Sequence, residues 1–216
     1  IRGLNQAVRN ANDGISMIQT AEGAMQEVTN SLQRMRELAV QSASDSNTTT
    51  DRSALAEEFD KLKSEIDRIA GNTKFNGTYL LNGAFTGKKI HIGADASQSL
   101  GLDTINDIDA TGLSISDDAI STQTAANNSI TAIDSAISEI DTARSKLGAS
   151  QSRLESTISN LSNISENLSA ARSRVLDADF AAESAAMTKA QILQQAGTAM
   201  LSQANMIPQA ALSLIQ

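Results

Sequence analysis

The sequence predicts a mainly α-helical protein: an elongated antiparallel helical coiled-coil rod from the two chain ends, a small β-hairpin region between them and a C-terminal assembly helix. Three observations lead to this fold class. Apolar residues repeat at helical or heptad intervals near both ends of the 216-residue chain. Only 2% of residues are aromatic, although large rings fill most compact cores. A single proline leaves long helices uninterrupted.

The first helix is predicted over about residues 1–43. Its apolar seam takes ten steps of three or four over 35 residues, a mean period of 3.5 that is typical of a coiled coil. Gly14 follows the turn-like Asn12 and Asp13, which opposes a helix. We still predict one helix, because the period continues in step on both sides. The seam consists of Leu4, Val8, Ala11, Ile15, Ile18, Ala21, Met25, Val28, Leu32, Met35 and Ala39.

A second helix is predicted over about residues 52–70. The Ser/Thr-rich run at 42–50 breaks the first helix, and Asp51 is the expected cap of the next. Apolar residues then repeat at four and three from Leu55 to Ile69, and Gly71 ends the pattern.

Residues 75–113 are predicted to form short strands and turns. Asn-Gly pairs at 76–77 and 82–83 are hairpin signals, and the segment KKIHIG alternates apolar with polar residues. The alternation places His91 on the exposed side of its strand, opposite Ile90 and Ile92.

The third helix is predicted over about residues 116–176, opened by Ser114 or Ser116 with Asp117 and Asp118 in its first turn. Aliphatic residues recur at strict seven-residue intervals, and we expect this seam to pair first with the helix over 1–43. The flanking seam position is looser, which leaves room for a second partner. The heptad residues are Ile133, Ile140, Leu147, Leu154, Leu161, Leu168 and Val175.

The last 27 residues, 190–216, contain no charged side chain. Their glutamines argue against a membrane span, because buried amides are costly in lipid. Alanine and glutamine favour a helix, so we predict a helix that packs tightly on a partner.

Motifs for enzyme chemistry are missing from the sequence. The chain has one histidine and no cysteine, which cannot complete a zinc site, and it carries no hydrolase or nucleotide-binding motif. We therefore predict no catalytic, metal or cofactor residues and no enzyme. The net charge of −8 opposes nucleic-acid binding. Residues 107–118 partly match a calcium loop, but the preceding strand-like segment opposes that minor alternative.

Leu38 is an apolar residue off the main seam, one turn after Arg34. Two interpretations remain open. Leu38 packs on the third helix, or Arg34 and Leu38 anchor a protein-binding face.

Both ends of the chain resemble bacterial flagellin. At the N-terminal end the resemblance rests on IRGLNQAVRNANDGISMIQTAEGAM, LQRMRELAVQSA and EIDRIAGNTKFNG. At the C-terminal end it rests on ARSRVLDADFAAESAAMTKAQILQQAGTAMLSQANMIPQAALSLIQ. The sequence opens on Ile1, and the resemblance implies that an N-terminal segment of about 50 residues is missing from it.

The resemblance implies a structural subunit of the flagellar filament that is exported unfolded by the flagellar type III system, self-assembles for motility and is therefore extracellular. Residues 1–177 would form the helical core rod and 178–216 the C-terminal half of the filament inner-tube domain. A hook–filament junction protein is the alternative, because such proteins share the terminal helices.

The resemblance also implies two interaction regions. One is a face recognised by Toll-like receptor 5 and buried between subunits in the filament: Gln33, Arg34, Arg36, Glu37, Leu38 and Glu58. The other is the tail that an export chaperone binds and that packs in the inner tube: Phe180, Met187, Ile192, Leu193, Met200, Leu201, Ile207, Leu212, Leu214 and Ile215.

Overall fold

The computed structural model describes residues 1–176 and 180–213. Its fold is mainly helical with two small antiparallel strand pairs, which confirms the predicted fold class. The helices of the described residues are α1 (Arg2–Ser42), α2 (Thr49–Asn72), α3 (Gln123–Leu176) and α4 (Phe180–Ser213). The strands of the same residues are β1 (Lys74–Phe75), β2 (Thr78–Tyr79), β3 (Lys89–His91) and β4 (Ser99–Gly101).

The chain divides into two compact units, Ile1–Glu166 and Asn167–Gln216. The first unit contains α1, α2, all four strands and most of α3. The second contains the last residues of α3 together with α4. The boundary at residue 177 that the sequence suggested stays a prediction.

Within the first unit, α1 and α3 run antiparallel. Three polar contacts fix their register: Arg36 to Asp134 at 2.7 Å, Arg144 to Glu22 at 3.5 Å and Ser165 to Asn5 at 3.1 Å. The residue numbers of the α1 partners decrease, from 36 to 22 to 5, as those of the α3 partners increase, which is the antiparallel order. The heptad residues from Ile133 to Leu161 are buried along this pairing, as the coiled-coil pattern predicts.

The last two residues of the heptad stripe differ from the other five. Leu168 is 46% exposed and Val175 is 81% exposed. Both belong to the second unit, and the register with α1 has already reached Asn5 at Ser165. A strict heptad therefore continues beyond the stretch of α3 that α1 covers.

Gly14 is buried within α1, where β3 and α3 pack closely against the helix. A methyl group at this position would come within 3.1 Å of Ile90 on β3 and 3.3 Å of Leu154 on α3. The buried stripe of α1 accordingly runs through Ala7 and Gly14, whereas Val8 and Ile15 from the predicted seam are only partly buried. Small residues let the strand approach the helix closely.

The start of α2 corrects the predicted boundary. Thr48 is the N-cap, and its backbone N–H donates to the Asp51 carboxylate at 2.9 Å while its hydroxyl accepts from the Asp51 backbone N–H at 3.3 Å. Asp51 is therefore the third helical residue and not the cap. The helix begins earlier than position 52 because this reciprocal capping box satisfies its first N–H groups.

The start of α3 corrects a second boundary. The helix begins at Gln123, and the residues expected to open it, Ser114 or Ser116 with Asp117 and Asp118, lie in the preceding connector. Ser114 has a positive φ of 59°, which is incompatible with a right-handed helix.

Side chains from three helices fix this connector, residues 114–122. Lys63 of α2 donates to the carbonyls of Ser116 and Asp118 at 3.0 and 3.1 Å. Ser42 and Ser129 donate to the carbonyls of Ile120 and Ala119. Ile115 and Ile120 of this connector are fully buried.

The predicted hairpin region forms two antiparallel pairs. Lys74 faces Tyr79 across β1 and β2, and Lys89 faces Gly101 across β3 and β4. His91 is exposed on β3 while Ile90 is half-buried, which matches the predicted alternation. The loops around these strands contribute Leu80, Leu81, Phe85, Ile105 and Ile108 to the same core cluster as the helices.

Among the described residues, no helix combines the length and the apolar character that crossing a bilayer requires.

Candidate interaction face on helices α1 and α2

One side of α1 presents charged and polar side chains to solvent. We define the arginine face as Gln33, Arg34, Arg36 and Glu37 of α1 together with Glu58 of α2. These five residues are exposed, whereas Leu32, Met35 and Ala39 on the opposite side of α1 are fully buried. The helical period thus separates the face from the core.

Arg34 is held by two carboxylates. Its guanidinium contacts Glu58 of α2 at 2.8 Å and Glu37 of α1 at 3.0 Å. Hydrogen bonds to Glu58 and then to Glu37 raise the pKa of Arg34 above its usual value. The side chain stays 50% exposed, so the ion pairs orient the guanidinium without removing it from solvent.

Arg36 is held by α3. Its guanidinium donates to both oxygens of Asp134, at 2.7 and 3.3 Å. This fork geometry raises the pKa of Arg36 and lowers the pKa of Asp134. Sequence reasoning missed Asp134, because only the register between α1 and α3 brings two residues 98 positions apart together.

Leu38 does not lie on the exposed face. Its side chain is 1% exposed and belongs to the core cluster shared by α1, α2 and α3. The interpretation that Leu38 packs within the helical core agrees with this burial, and its role in a protein-binding face stays a prediction. The position lies on the same side of α1 as Met35 and Ser42, which are also buried.

Val40 is the exposed apolar residue of this region, with 50% of its surface accessible. Together with Gln33, Arg36, Glu37 and Gln41 it lines a shallow groove along α1. Sequence reasoning missed Val40, although its place off the apolar seam was a usable signal. The arginine face thus borders an apolar contact surface.

The tail residues named from the sequence are exposed along α4 where the structure describes them. The exposed fractions are 83% for Phe180, 57% for Met187, 59% for Ile192, 62% for Leu193, 70% for Met200 and 65% for Leu201. The side chains of Ile207 and Leu212, and the whole of Leu214 and Ile215, lie outside the described residues.

No metal site is present among the residues that the structure describes, since no three acidic or histidine side chains there converge. Two carboxylates of the acidic segment 107–118 bond within the backbone turn. Asp107 accepts from the backbone N–H of Asp109 at 3.3 Å, and Asp109 accepts from that of Gly112 at 2.7 Å.

Comparison with known proteins decides the family. Residues 1–86 match the sequence model of the bacterial flagellin N-terminal helical region, and residues 130–215 match that of the C-terminal helical region. Over 217 aligned residues the chain is 48% identical to a flagellin of Halalkalibacterium halodurans, covering 100% of this chain and 80% of that protein.

The chain belongs to the flagellin family. Flagellins are structural proteins and not enzymes, and they self-assemble into the filament of the bacterial flagellum. This flagellin-family chain is therefore a flagellar filament subunit. The N-terminal family region contains α1, α2, β1 and β2, and the C-terminal region contains most of α3 and α4.

Solved structures agree with the flagellin assignment. The crystal structure of Bacillus cereus flagellin is 36% identical, covers 76% of this chain and 94% of its own, and superposes with a TM-score of 0.62. A protein from Vibrio parahaemolyticus described as a flagellar hook-associated protein is 15% identical, covers 79% of this chain and 90% of its own, and has a TM-score of 0.65. The latter likeness shows the fold alone.

Proposed function

We propose that this flagellar filament subunit is exported unfolded through the flagellar type III system, carried by a chaperone on its tail, and that the monomer is recognised by Toll-like receptor 5 through the arginine face. The observation that carries the receptor proposal is the pair of guanidiniums held in place beside an exposed valine. The resemblance of the QRMRELAV segment, residues 33–40, to flagellin supports the receptor proposal.

Export as an unfolded chain requires rapid folding after passage to the outside of the cell. The chain has no cysteine, so no disulfide has to be reduced before export or formed afterwards. Most of the described residues lie in helices, whose contacts are local, and local contacts favour fast folding. These properties suit a subunit that is secreted and folds where the filament grows.

A chaperone on the tail would cover exposed apolar surface. α4 exposes six large apolar side chains between Phe180 and Leu201, and residues 190–216 carry no charge. Such a helix is typical of a segment that packs against other helices. We propose that the chaperone covers this surface before export and that neighbouring subunits cover it in the inner tube of the filament.

The arginine face suits recognition by a receptor with complementary acidic groups. Exposed ion pairs contribute little to stability, so a receptor carboxylate can replace Glu58 or Asp134 as the partner of an arginine. Arginine is the side chain best suited to such planar, two-pronged contacts. Leu38 would act indirectly, by fixing the position of α1 from within the core, whereas Val40 would make the apolar contact.

The receptor proposal is tested with Arg34→Ala in a reporter cell line that responds to Toll-like receptor 5. We expect the activating concentration of the monomer to rise tenfold or more, about 1.4 kcal/mol, because one oriented guanidinium is lost. Arg68→Ala is the matched control, since Arg68 is also exposed and paired with a carboxylate, Glu65, but lies on α2 away from the arginine face. An unchanged dose response for Arg34→Ala, with a helical content equal to that of the control, would contradict the proposal.

A hook–filament junction protein is the weaker alternative. The likeness to the hook-associated protein is confined to the fold at 15% identity. The similarity to the Halalkalibacterium halodurans flagellin, in contrast, extends over the whole chain at 48% identity. The filament subunit therefore remains the preferred function.

A further inference from the structure

The sequence contains two Asn-Gly pairs, Asn76-Gly77 and Asn82-Gly83, which the fold holds in different ways. Asn-Gly is the dipeptide most prone to spontaneous deamidation, because glycine leaves the following backbone nitrogen unhindered. Both pairs have the same local chemistry, so any difference in their reactivity must come from the structure around them.

Asn76 and Gly77 form the exposed tip of the hairpin between β1 and β2. Their φ angles are 46° and 77°, as a two-residue hairpin turn requires. The strands that the tip connects are two residues long each. Within the described residues no hydrogen bond holds the Asn76 side chain, and a methyl group placed on Gly77 would meet no atom within 4 Å.

Asn82 and Gly83 are held by the core. The Asn82 side chain accepts a hydrogen bond from the backbone N–H of Ala84 at 3.3 Å, and its backbone forms a bridge with Asp107. The preceding residue, Leu81, is fully buried, and its carbonyl accepts from the backbone N–H of Ile108 at 2.8 Å. Opening this segment exposes the fully buried Leu81, whereas Asn76 and Gly77 at the tip are already exposed in the folded chain.

We propose that Asn76 is a site of spontaneous deamidation and backbone isomerisation in the folded protein, and that Asn82 is protected. The Gly77 backbone nitrogen loses its proton to solvent base and attacks Cγ of Asn76. A nitrogen–carbon bond forms, the bond from Cγ to Nδ2 breaks, and the amide nitrogen leaves as ammonia. Water then opens the resulting succinimide at either carbonyl, which gives aspartate or isoaspartate.

The turn must open before Gly77 can reach the Asn76 carboxamide. A short two-stranded hairpin is only marginally stable by itself, so the tip opens without unfolding the helices. Local opening of this kind has a much lower free energy than global unfolding. The structure therefore places Asn76 and Gly77 in a segment that opens locally, unlike Asn82 and Gly83.

Isoaspartate at position 76 would alter the hairpin, because its side-chain carboxyl group then carries the backbone and lengthens a two-residue turn by one carbon. The pairing of Lys74 with Tyr79 depends on that turn. Lys74 Nζ lies 4.2 Å from the centre of the Tyr79 ring, and Tyr79 is the single tyrosine of a chain without tryptophan. Intrinsic fluorescence therefore reports on this hairpin alone.

The test is incubation of the folded full chain in mildly alkaline buffer, followed by trypsin digestion and mass spectrometry. Trypsin cleaves after Lys74 and Lys88, so one peptide, residues 75–88, contains both asparagines and fragment ions compare them directly. We expect the folded chain to convert Asn76 at least about tenfold faster than Asn82, because only Asn76 is free to open locally. In denaturant the two rates should become equal.

Equal rates in the folded chain, or faster conversion at Asn82, would overturn the proposal. Asn76→Gly is the first matched variant, because glycine adopts the positive φ of the turn and removes the carboxamide. This variant should show no mass increase at position 76 and no change of Tyr79 fluorescence with time. Asn82→Ser keeps a side-chain oxygen for the turn and should leave the rate at Asn76 unchanged.

Discussion

Two glycines in the interior of α1, Gly14 and Gly23, have very different packing environments. Gly14 is buried, and a methyl group placed on it would come within 3.3 Å of side chains from β3 and α3. Gly23 is exposed, and a methyl group there would meet nothing within 4 Å. The sequence marks both as unfavourable in a helix, but only Gly14 has a packing reason.

Substitutions at these two glycines should therefore have opposite effects on stability. Gly14→Ile should lower the free energy of unfolding by about 1–3 kcal/mol, because the larger side chain overpacks the contact with Ile90 and Leu154. Gly23→Ala should raise it by roughly 0.5–1 kcal/mol, since alanine is the better helix former. Urea unfolding measures both, and a stable Gly14→Ile protein would contradict the close approach.

Asp118 is a partly buried carboxylate whose pKa is raised. Its Oδ2 atom is buried without a hydrogen-bond partner among the described residues. Partial burial raises the pKa of Asp118, an effect that the nearby Lys63 opposes and Asp117 reinforces. Because the folded state binds this proton more tightly than the unfolded state, the contribution of Asp118 to stability is lost as the pH rises through its folded pKa.

Asp118→Asn should therefore be more stable than the parent chain at neutral pH, and the difference should disappear in acid, where Asp118 is protonated. Asp134→Asn is the comparison with the opposite sign, because Arg36 lowers the pKa of Asp134. That variant should lose stability at neutral pH and not in acid. Urea unfolding at several pH values tests both, and a neutral-pH loss for Asp118→Asn would contradict the assignment.

At the scale of elements, helix ends were harder to predict than helix existence. The apolar periods predict α1, α2 and α3, because such periods persist over many turns. The first residues of α2 and α3 depend instead on a few side-chain contacts. For α2 these are local and visible as Thr48 followed by Asp51, whereas for α3 they come from Lys63 and Ser42 on other helices.

The cap of α2 is testable by Thr48→Ala. Loss of the hydroxyl removes the hydrogen bond to the Asp51 backbone N–H and should lower the free energy of unfolding by about 0.5–2 kcal/mol. Ser53→Ala is the control, because Ser53 is exposed within α2 after the cap and should change stability little. Thermal unfolding followed by circular dichroism compares the two, and equal melting temperatures would show that the cap is dispensable.

At the scale of the whole molecule, residues in one heptad register of α3 are buried at some positions and exposed at others. Leu147 is 1% exposed against α1, whereas Val175, four heptads later in the same register, is 81% exposed in the second unit. The sequence does not distinguish these positions, because the repeat is identical. Burial is decided by which part of the chain lies across from each residue.

Truncation at the two positions should separate these outcomes. Leu147→Ala should lower the free energy of unfolding by about 2–5 kcal/mol, because it leaves a cavity in the core. Val175→Ala should change it by less than about 0.5 kcal/mol, as expected for an exposed side chain. Urea unfolding of the monomer measures both, and a large loss for Val175→Ala would mean that this residue is covered within the chain.

The sequence by itself determined the helical fold class and the hairpin region, because apolar periodicity and Asn-Gly turn signals are local properties of the chain. It also indicated that the first and third helices pair, but not the register between them. Only the tertiary structure decided which residues form and border the arginine face. The antiparallel register brought Asp134 to Arg36, and packing among three helices drew Leu38 into the core and left Val40 outside. These outcomes depend on which distant residues meet, and a pattern of residues along one chain does not contain that information.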